Sequence, residues 1–403
     1  MRNEDRTRAR LFAAVGGIVV LFMAASSVPS PLYPLYQQLF RFSAATLTVV
    51  FAVYVAGLLG ALLVVGALSD HVGRRPVLAA AIALEAVSFV LFLTAGGVGA
   101  LLVARVLQGI ATGAAITTLG AALVDLAPPE ARHRAGTVTG VGTLVGLAAG
   151  AVGAGALVQL APAPTHLVWI VLLALLVLSA VVVAVLPETS PRRAGVRRSL
   201  VPRVGVAPRL RAEVLAVSPV LVTSWALGGL YLSLGSSIAA SLLGVQSRLL
   251  GGLVVTLLCG TGAVTSFLLR DRPVRALVAP AAGLLAAGTA VTLLGMALSS
   301  AVVAGLGTIV AGIGFGAAAQ ACFGVFAEIA EPGERGELFA VAYVISYTAF
   351  SVPAVLAGIG SGIVGLATAA EVYGGVVVVL GVAATAINLV HARRRRPALT
   401  TTA

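Results

Sequence analysis

Three polar side chains in the interior of long apolar runs could do chemistry here: Glu85, Arg105 and Gln108. A charge at mid-helix in hydrocarbon costs about 2.5–3.5 kcal/mol or more, so each needs a partner. Gln108 lies one helical turn beyond Arg105, on the same helix face, and Glu85 falls near the middle of its run. Two readings stand. Glu85 is a proton acceptor whose state Arg105 senses, Arg105 also being placed to meet a substrate anion; or Glu85 is a protonated or paired structural group. A second cluster is GALSDHVGRRP, residues 66–76, which sets Asp70, His71, Arg74 and Arg75 between two apolar runs. Gly66 and Gly73 let its backbone turn and approach a neighbour, the arginines anchor the loop on one side of a membrane, and Asp70 needs a positive partner.

Candidate binding residues are aromatic or amide points on apolar walls. Tyr33 and Tyr36 stand in the proline-interrupted stretch SSVPSPLYPLY, residues 26–36, while Trp225, Tyr231, Gln320, Tyr343 and Tyr347 lie in the second half of the chain. Such a lining suits an amphipathic or lipophilic molecule better than a sugar. Covalent and metal chemistry find no support. The histidines, His71, His133, His166 and His391, form no ligand spacing or catalytic triad. Without lysine there is no phosphate-cradling G-x-x-x-x-G-K-[ST], and Cys259 and Cys322 sit inside apolar runs with no disulfide or metal reading. No enzyme activity, cofactor or metal is expected.

These side chains must be positioned by membrane-spanning elements. Of 403 residues 59% are hydrophobic and 10% charged, with a mean hydropathy of +1.08, whereas soluble chains carry roughly a quarter charged residues. Apolar runs recur at about 11–31, 46–68, 77–96, 99–123, 136–160, 166–186, 214–237, 249–269, 277–297, 299–325, 338–360 and 365–390. They are continuous rather than alternating, so they read as helices that satisfy their own backbone in lipid; the fold class is all-α with twelve transmembrane helices. Residues 1–30 share the basic start and apolar stretch of a signal peptide, but eleven further runs favour a retained first helix.

All 26 cations are arginine. With an even number of spans both ends share a side, and that side receives Arg2, Arg6, Arg8, Arg10, Arg74, Arg75, Arg132, Arg134, the seven arginines from Arg192 to Arg211, Arg270, Arg272, Arg275, Arg335 and Arg393 to Arg396. Only Arg41 and Arg248 fall opposite. The positive-inside rule makes the arginine-rich side cytoplasmic. The net charge of +12 is then a matter of topology, and nucleic-acid binding, which needs a basic face on a soluble domain, is not expected. Composition suggests a bacterial plasma membrane.

The two halves repeat at an offset of 203 residues. Arg105, Gln108, Gly109, Gly113, Ala114 and Ala115 in the fourth span are answered by Thr308, Ala311, Gly312, Gly316, Ala317 and Ala318 in the tenth. Asp125, Pro129 and Arg132 likewise face Glu328, Pro332 and Arg335. Small residues that permit close helix packing are kept twice, the arginine and glutamine once. The expected organisation is a six-helix bundle at 1–189, a cytoplasmic arginine-rich linker at 190–212 and a second six-helix bundle at 213–403. Parallel repeats of this kind occur in transporters whose halves rock about a midplane site.

With these motifs the chain resembles the major facilitator superfamily. GALSDHVGRRP is similar to the signature that follows the second span there, with His71 where lysine or arginine is usual, RVLQGIATGAA is similar to the fourth-span signature, and LPETSPRR, residues 186–193, to the sixth-span ending. GTLVGLAAGAV, with Gly142, Gly146 and Gly150, is similar to the fifth-span signature of antiporters but has Leu147 in place of the proline. The resemblance implies a secondary transporter, acting as a monomer, in which Gly66, Asp70, Gly73, Arg74 and Arg75 latch the halves together, Asp70 meeting the N-terminus of span eleven. It also implies proton-coupled efflux of a hydrophobic or amphipathic molecule, with a proton-coupled importer as the alternative and a non-transporting sensor or scaffold as the alternative of another class.

Overall fold

A computed structural model describes residues 2–128, 133–190, 192–242, 247–331 and 333–395. Pro129, Arg132, Pro332 and Arg396 lie outside the described residues. The fold is all-α, and twelve helices among the described residues are long and apolar enough to cross a membrane: Arg6–Phe40, Ala44–Val65, Arg74–Leu93, Val98–Leu126, Arg134–Leu160, Leu167–Val185, Pro208–Ser233, Arg248–Leu268, Val274–Ala297, Ala301–Ile329, Arg335–Val364 and Leu366–Ala392. They are numbered here as spans one to twelve and form two packed helix bundles. Their outer faces carry exposed valine, leucine and isoleucine, among them Val177, Leu178, Ile363 and Val379, which only a lipid surround tolerates in such density.

Two boundaries differ from the sequence expectation. Span one does not stop near residue 31. Its helix Arg2–Ser27 is followed directly by a helix over Pro29–Phe40, and the intervening Val28 keeps α geometry, its N–H still donating to the Ala24 carbonyl at 3.1 Å. Pro29 removes the donor that the Ala25 carbonyl would otherwise meet, and that carbonyl accepts from Gln108 Nε2 at 3.1 Å instead; Pro31 and Pro34 are carried within the helix Pro29–Phe40, so the prolines do not end the span. Span seven, conversely, ends at Ser233 and a separate short helix, Gly235–Leu242, takes over.

The repeated glycines explain why the sequence repeats. A Cβ on Gly109 would collide with the backbone of Tyr54 and Leu58 in span two, and one on Gly113 with Leu58. In the other half a Cβ on Gly312 would strike Leu257, Leu258 and Thr261 in span eight, and one on Gly316 would strike Gly262. The same helix pair thus touches at matching positions in both bundles. Gly142, Gly146 and Gly150 do the equivalent for spans five and one, meeting Val19, Val20, Met23, Ala24 and Ser27.

The halves meet on the side remote from the chain ends. There Gly252 presses on the backbone of Ala151, Gly358 on Thr48 and Gly155 on Arg248. The Thr256 hydroxyl donates to the Ala148 carbonyl at 2.9 Å and the Arg248 N–H to Gln159 Oε1 at 3.0 Å. On the terminal side, the ion pairs of the described residues stay on one side of the division: Arg74 with Asp70 and Asp125, Arg275 with Glu213 and Glu328, His391 with Glu213, and Arg209 with Glu331 and Glu334.

The residue 66–76 loop is held by its own bundle. Gly73, at φ 123°, makes a turn that a side chain would strain, and a Cβ there would also crowd the Glu188 carboxylate. Glu188 accepts from the backbone N–H groups of Arg74 (2.8 Å), Arg75 (3.2 Å) and Ser190 (3.0 Å). Slight burial alone would raise its pKa, but the three N–H donors and then the Arg192 charge outweigh this and hold the carboxyl below its usual range. Asp70 pairs with Arg74 at 2.6 Å and its carbonyl accepts from the Arg193 N–H at 3.0 Å.

Two predictions follow from this packing. Gly150→Leu overpacks the contact between spans one and five and should cost about 1–3 kcal/mol, seen as a lower thermal midpoint in detergent, whereas Gly140→Leu, at a glycine with open space around it, should leave the midpoint unchanged. Because the Glu188 carboxyl is held low, its contribution is complete above its unfolded value of about 4.3 and is lost as pH falls through the lower folded value. Protection of the Arg74, Arg75 and Ser190 amides, taken as exchange relative to the intrinsic rate at each pH, should therefore hold at ~pH 5 and be lost only below the unfolded value of about 4.3.

Candidate functional site

The three intramembrane polar residues converge. Span three presents Glu85 and span four presents Arg105 and Gln108, all at most 1% exposed. Arg105 Nη1 donates to Gln108 Oε1 at 2.6 Å and more distantly to the Ser26 carbonyl at 3.4 Å. Gln108 Nε2 in turn donates to the Ala25 carbonyl at 3.1 Å and to Glu85 Oε1 at 3.4 Å. The glutamine therefore stands between cation and carboxyl, its oxygen toward one and its nitrogen toward the other. Among the described residues Glu85 Oε2 and Arg105 Nε have no hydrogen-bond partner.

Span one supplies the carbonyls. Its helix is continuous past Ala25 and Ser26, and the Ser26 hydroxyl bonds back to the Phe22 carbonyl at 2.8 Å while accepting from Tyr54 Oη at 2.7 Å. Tyr54, on span two, was not among the sequence candidates. Its ring lies under the guanidinium, with Arg105 Cζ 4.0 Å from the ring centroid, a cation–π contact worth about 2 kcal/mol or more when desolvated. The only sequence signal for it was a tyrosine in mid-run.

Tyr54 is also where this cluster reaches the other half. It belongs to an apolar cluster that joins Phe51, Val55 and Leu58 of span two and Ala148 and Ala151 of span five to Leu232, Val255, Cys259, Phe350 and Ala354 of the second bundle. Phe51 and Phe350 have ring centroids 5.0 Å apart. Around them the second bundle gathers an aromatic wall: Trp225 sits 4.8 Å from Tyr347 and 5.6 Å from Phe350, and Phe323 sits 5.7 Å from Tyr343. Gln320, one span over, accepts from the Ser266 hydroxyl at 3.3 Å.

Not every candidate joins this wall. Tyr36 accepts from Trp169 Nε1 at 3.1 Å and stacks on Phe40, so it ties span one to span six inside the first bundle. Tyr33 is buried with its hydroxyl turned to the Arg105 guanidinium, though without a hydrogen bond of good geometry. Tyr231 hydrogen bonds to Thr308 at 2.8 Å and lines a separate apolar cavity of about 210 Å³ within the second bundle, with Leu227, Leu257 and Thr292. Asp70 faces its own bundle in this structure. Its ion partner is Arg74 of its own loop, and the start of span eleven is occupied by a different contact, Arg209 of the linker on Glu331 and Glu334. With the halves pressed together on the remote side, the loop's ion pairs among the described residues stay within the first bundle.

At the repeat offset Glu85, Arg105 and Gln108 correspond to Gly288, Thr308 and Ala311. A Cβ on Gly288 would collide with the Ala311 backbone, so spans nine and ten close over the place that holds the polar trio in the first bundle.

Arg105 is the member whose removal should cost most, because it leaves a buried carboxyl with a displaced glutamine. Arg105→Leu should lower stability by about 3 kcal/mol, and adding Glu85→Leu should recover part of that loss. Thermal unfolding of the two single variants and the double variant measures the coupling; strictly additive losses would contradict the shared cluster.

Comparison with known proteins agrees with this architecture. Solved structures of similar fold include a bacterial homolog of the human lysosomal transporter Spinster in an inward-facing and occupied conformation, with a TM-score of 0.74 at 16% identity over 96% of this chain and 97% of that one. The human organic anion transporter TETRAN superposes with a TM-score of 0.69 at 20% identity, covering 94% and 99%, and the nucleoside transporter NupG with 0.68 at 12% identity, covering 94% and 99%. At such identities they share a fold with this chain. Residues 15–358 match the Major Facilitator Superfamily as a sequence family; the chain belongs to that superfamily and is a membrane transporter, not an enzyme.

Proposed function

We propose that this secondary transporter exports a hydrophobic or amphipathic small molecule across the plasma membrane in exchange for protons. The single observation that supports this best is the buried path from Glu85 through Gln108 and Arg105 to the ring of Tyr54, which ends in the cluster joining the two halves. A proton gained or lost at Glu85 changes the charge that Arg105 must balance, and the altered guanidinium acts on Tyr54 at the division between bundles. Trp225, Tyr343 and Tyr347 offer the apolar, aromatic face a lipophilic substrate needs, and Gln320 one amide beside it. Tyr33, Tyr36 and Tyr231 take packing roles in this proposal.

The arginine distribution orients the chain with both ends in the cytoplasm, so the conformation described is inward-facing, and the chain divides into bundles at 1–189 and 213–403 joined by the 190–212 linker. In the opposite conformation the terminal sides of the halves approach and the residue 66–76 loop, with Gly66, Asp70, Gly73, Arg74 and Arg75, is positioned to latch them. The unit is the monomer.

Proteoliposomes carrying an imposed pH gradient and a lipophilic fluorescent dye test the proposal. Dye efflux driven by inward protons is expected, and Glu85→Gln should abolish gradient-driven flux while leaving expression and thermal midpoint near wild type. Dye accumulation together with protons would make the chain an importer. Flux unchanged in Glu85→Gln would remove Glu85 from coupling.

A further inference from the structure

Outside the transport path, the lipid-facing surface between spans three and six is indented by a groove of about 700 Å³. Its walls are Ala79, Ala83 and Ala86 on one side and Leu173, Val177 and Ala180 on the other. Buried Ile82, Leu176 and Val183 lie along it. Its terminal-side mouth is polar, formed by Arg75, Glu188 and Arg192. From Arg75 to Ala86 the helix rises ~16 Å at 1.5 Å per residue, about half of the ~30 Å hydrocarbon thickness. The groove therefore has the length of one leaflet and a charged end at that leaflet's headgroup level.

The charges at the mouth suit an anion. Glu188 is already matched by three backbone N–H groups. Arg75 commits one guanidinium nitrogen to the Ala184 carbonyl at 2.6 Å, and an arginine carries five donors. Arg192 is exposed, its backbone N–H accepted by the Ser190 hydroxyl at 3.2 Å.

We propose that this groove seats one anionic phospholipid of the terminal-side leaflet, an acyl chain lying along the alanines and the phosphate resting on Arg75 and Arg192. The alanines are what make room: larger residues at 79, 83 and 86 would fill the trench and give the smooth surface that bulk lipid solvates without a fixed seat.

Native mass spectrometry of the full chain in mild detergent, titrated with phosphatidylglycerol or phosphatidylcholine of matched chains, reads this directly. The wild type should retain a first phosphatidylglycerol about tenfold more tightly than phosphatidylcholine, as expected from cations at headgroup level. Ala83→Phe should weaken both lipids, Arg192→Gln should erase the preference while keeping phosphatidylcholine binding, and Val87→Phe, on the same span but outside the groove, should change neither. If Ala83→Phe does not assemble, Ala180→Phe on the facing wall carries the same expectation. Equal retention by wild type and the groove-filled variant, or a preference untouched by Arg192→Gln, would overturn the proposal, as would displacement of the lipid by inorganic phosphate in wild type and Ala83→Phe alike.

Discussion

A guanidinium enclosed by hydrocarbon must be balanced by groups it can touch, and in this chain that constraint falls on Arg105. Solvent is out of reach at 1% exposure. Its neighbours are a glutamine oxygen, a main-chain carbonyl of span one, the face of Tyr54 and the hydroxyl of Tyr33, none of which carries a formal charge. The one carboxyl nearby, Glu85, is reached through Gln108. Attraction between Arg105 and Glu85 is relayed through Gln108 rather than made by a direct ion pair.

The second bundle shows what the same fold looks like without that constraint. Thr308 takes the place of Arg105 and bonds to Tyr231 and to its own helix, while glycine and alanine close the space that Glu85 and Gln108 occupy in the first half. The duplicated glycines bring span four against span two and span ten against span eight at corresponding positions, yet the halves differ in chemistry. One half carries titratable machinery, the other an aromatic wall of Trp225, Tyr343, Tyr347 and Phe350. They meet where Tyr54 and Phe51 touch that wall.

Much of this was legible in the residues because it rests on local rules. Run length and continuity identify spans, and the 203-residue repeat reflects helix contacts that need glycine at 109, 113, 312 and 316 whichever half they serve. Arg105, Gln108 and Glu85 stood out because charge in lipid is costly wherever it sits. What could not be read depends on partners set by tertiary packing. Tyr36 and Tyr54 are both tyrosines in apolar runs, yet one bonds to Trp169 within its bundle and the other lies beneath an arginine at the division of the halves. Asp70, with Arg74 and Arg75 both near it in the chain, pairs with Arg74, a choice that spacing alone leaves open. Span one outruns its expected end because a proline breaks a helix only where the freed carbonyl finds no other donor, and Gln108, distant in sequence, supplies one to Ala25.

The central claim, that the proton state of Glu85 governs how the halves close, is tested most directly by electron–electron spin distances between labels at Gln159 and Arg248, which face each other across the remote side. The account predicts a distance distribution that shifts between acidic and alkaline pH in the otherwise native chain and stays fixed when Glu85→Gln is added. The same pH-dependent shift in both proteins would contradict it.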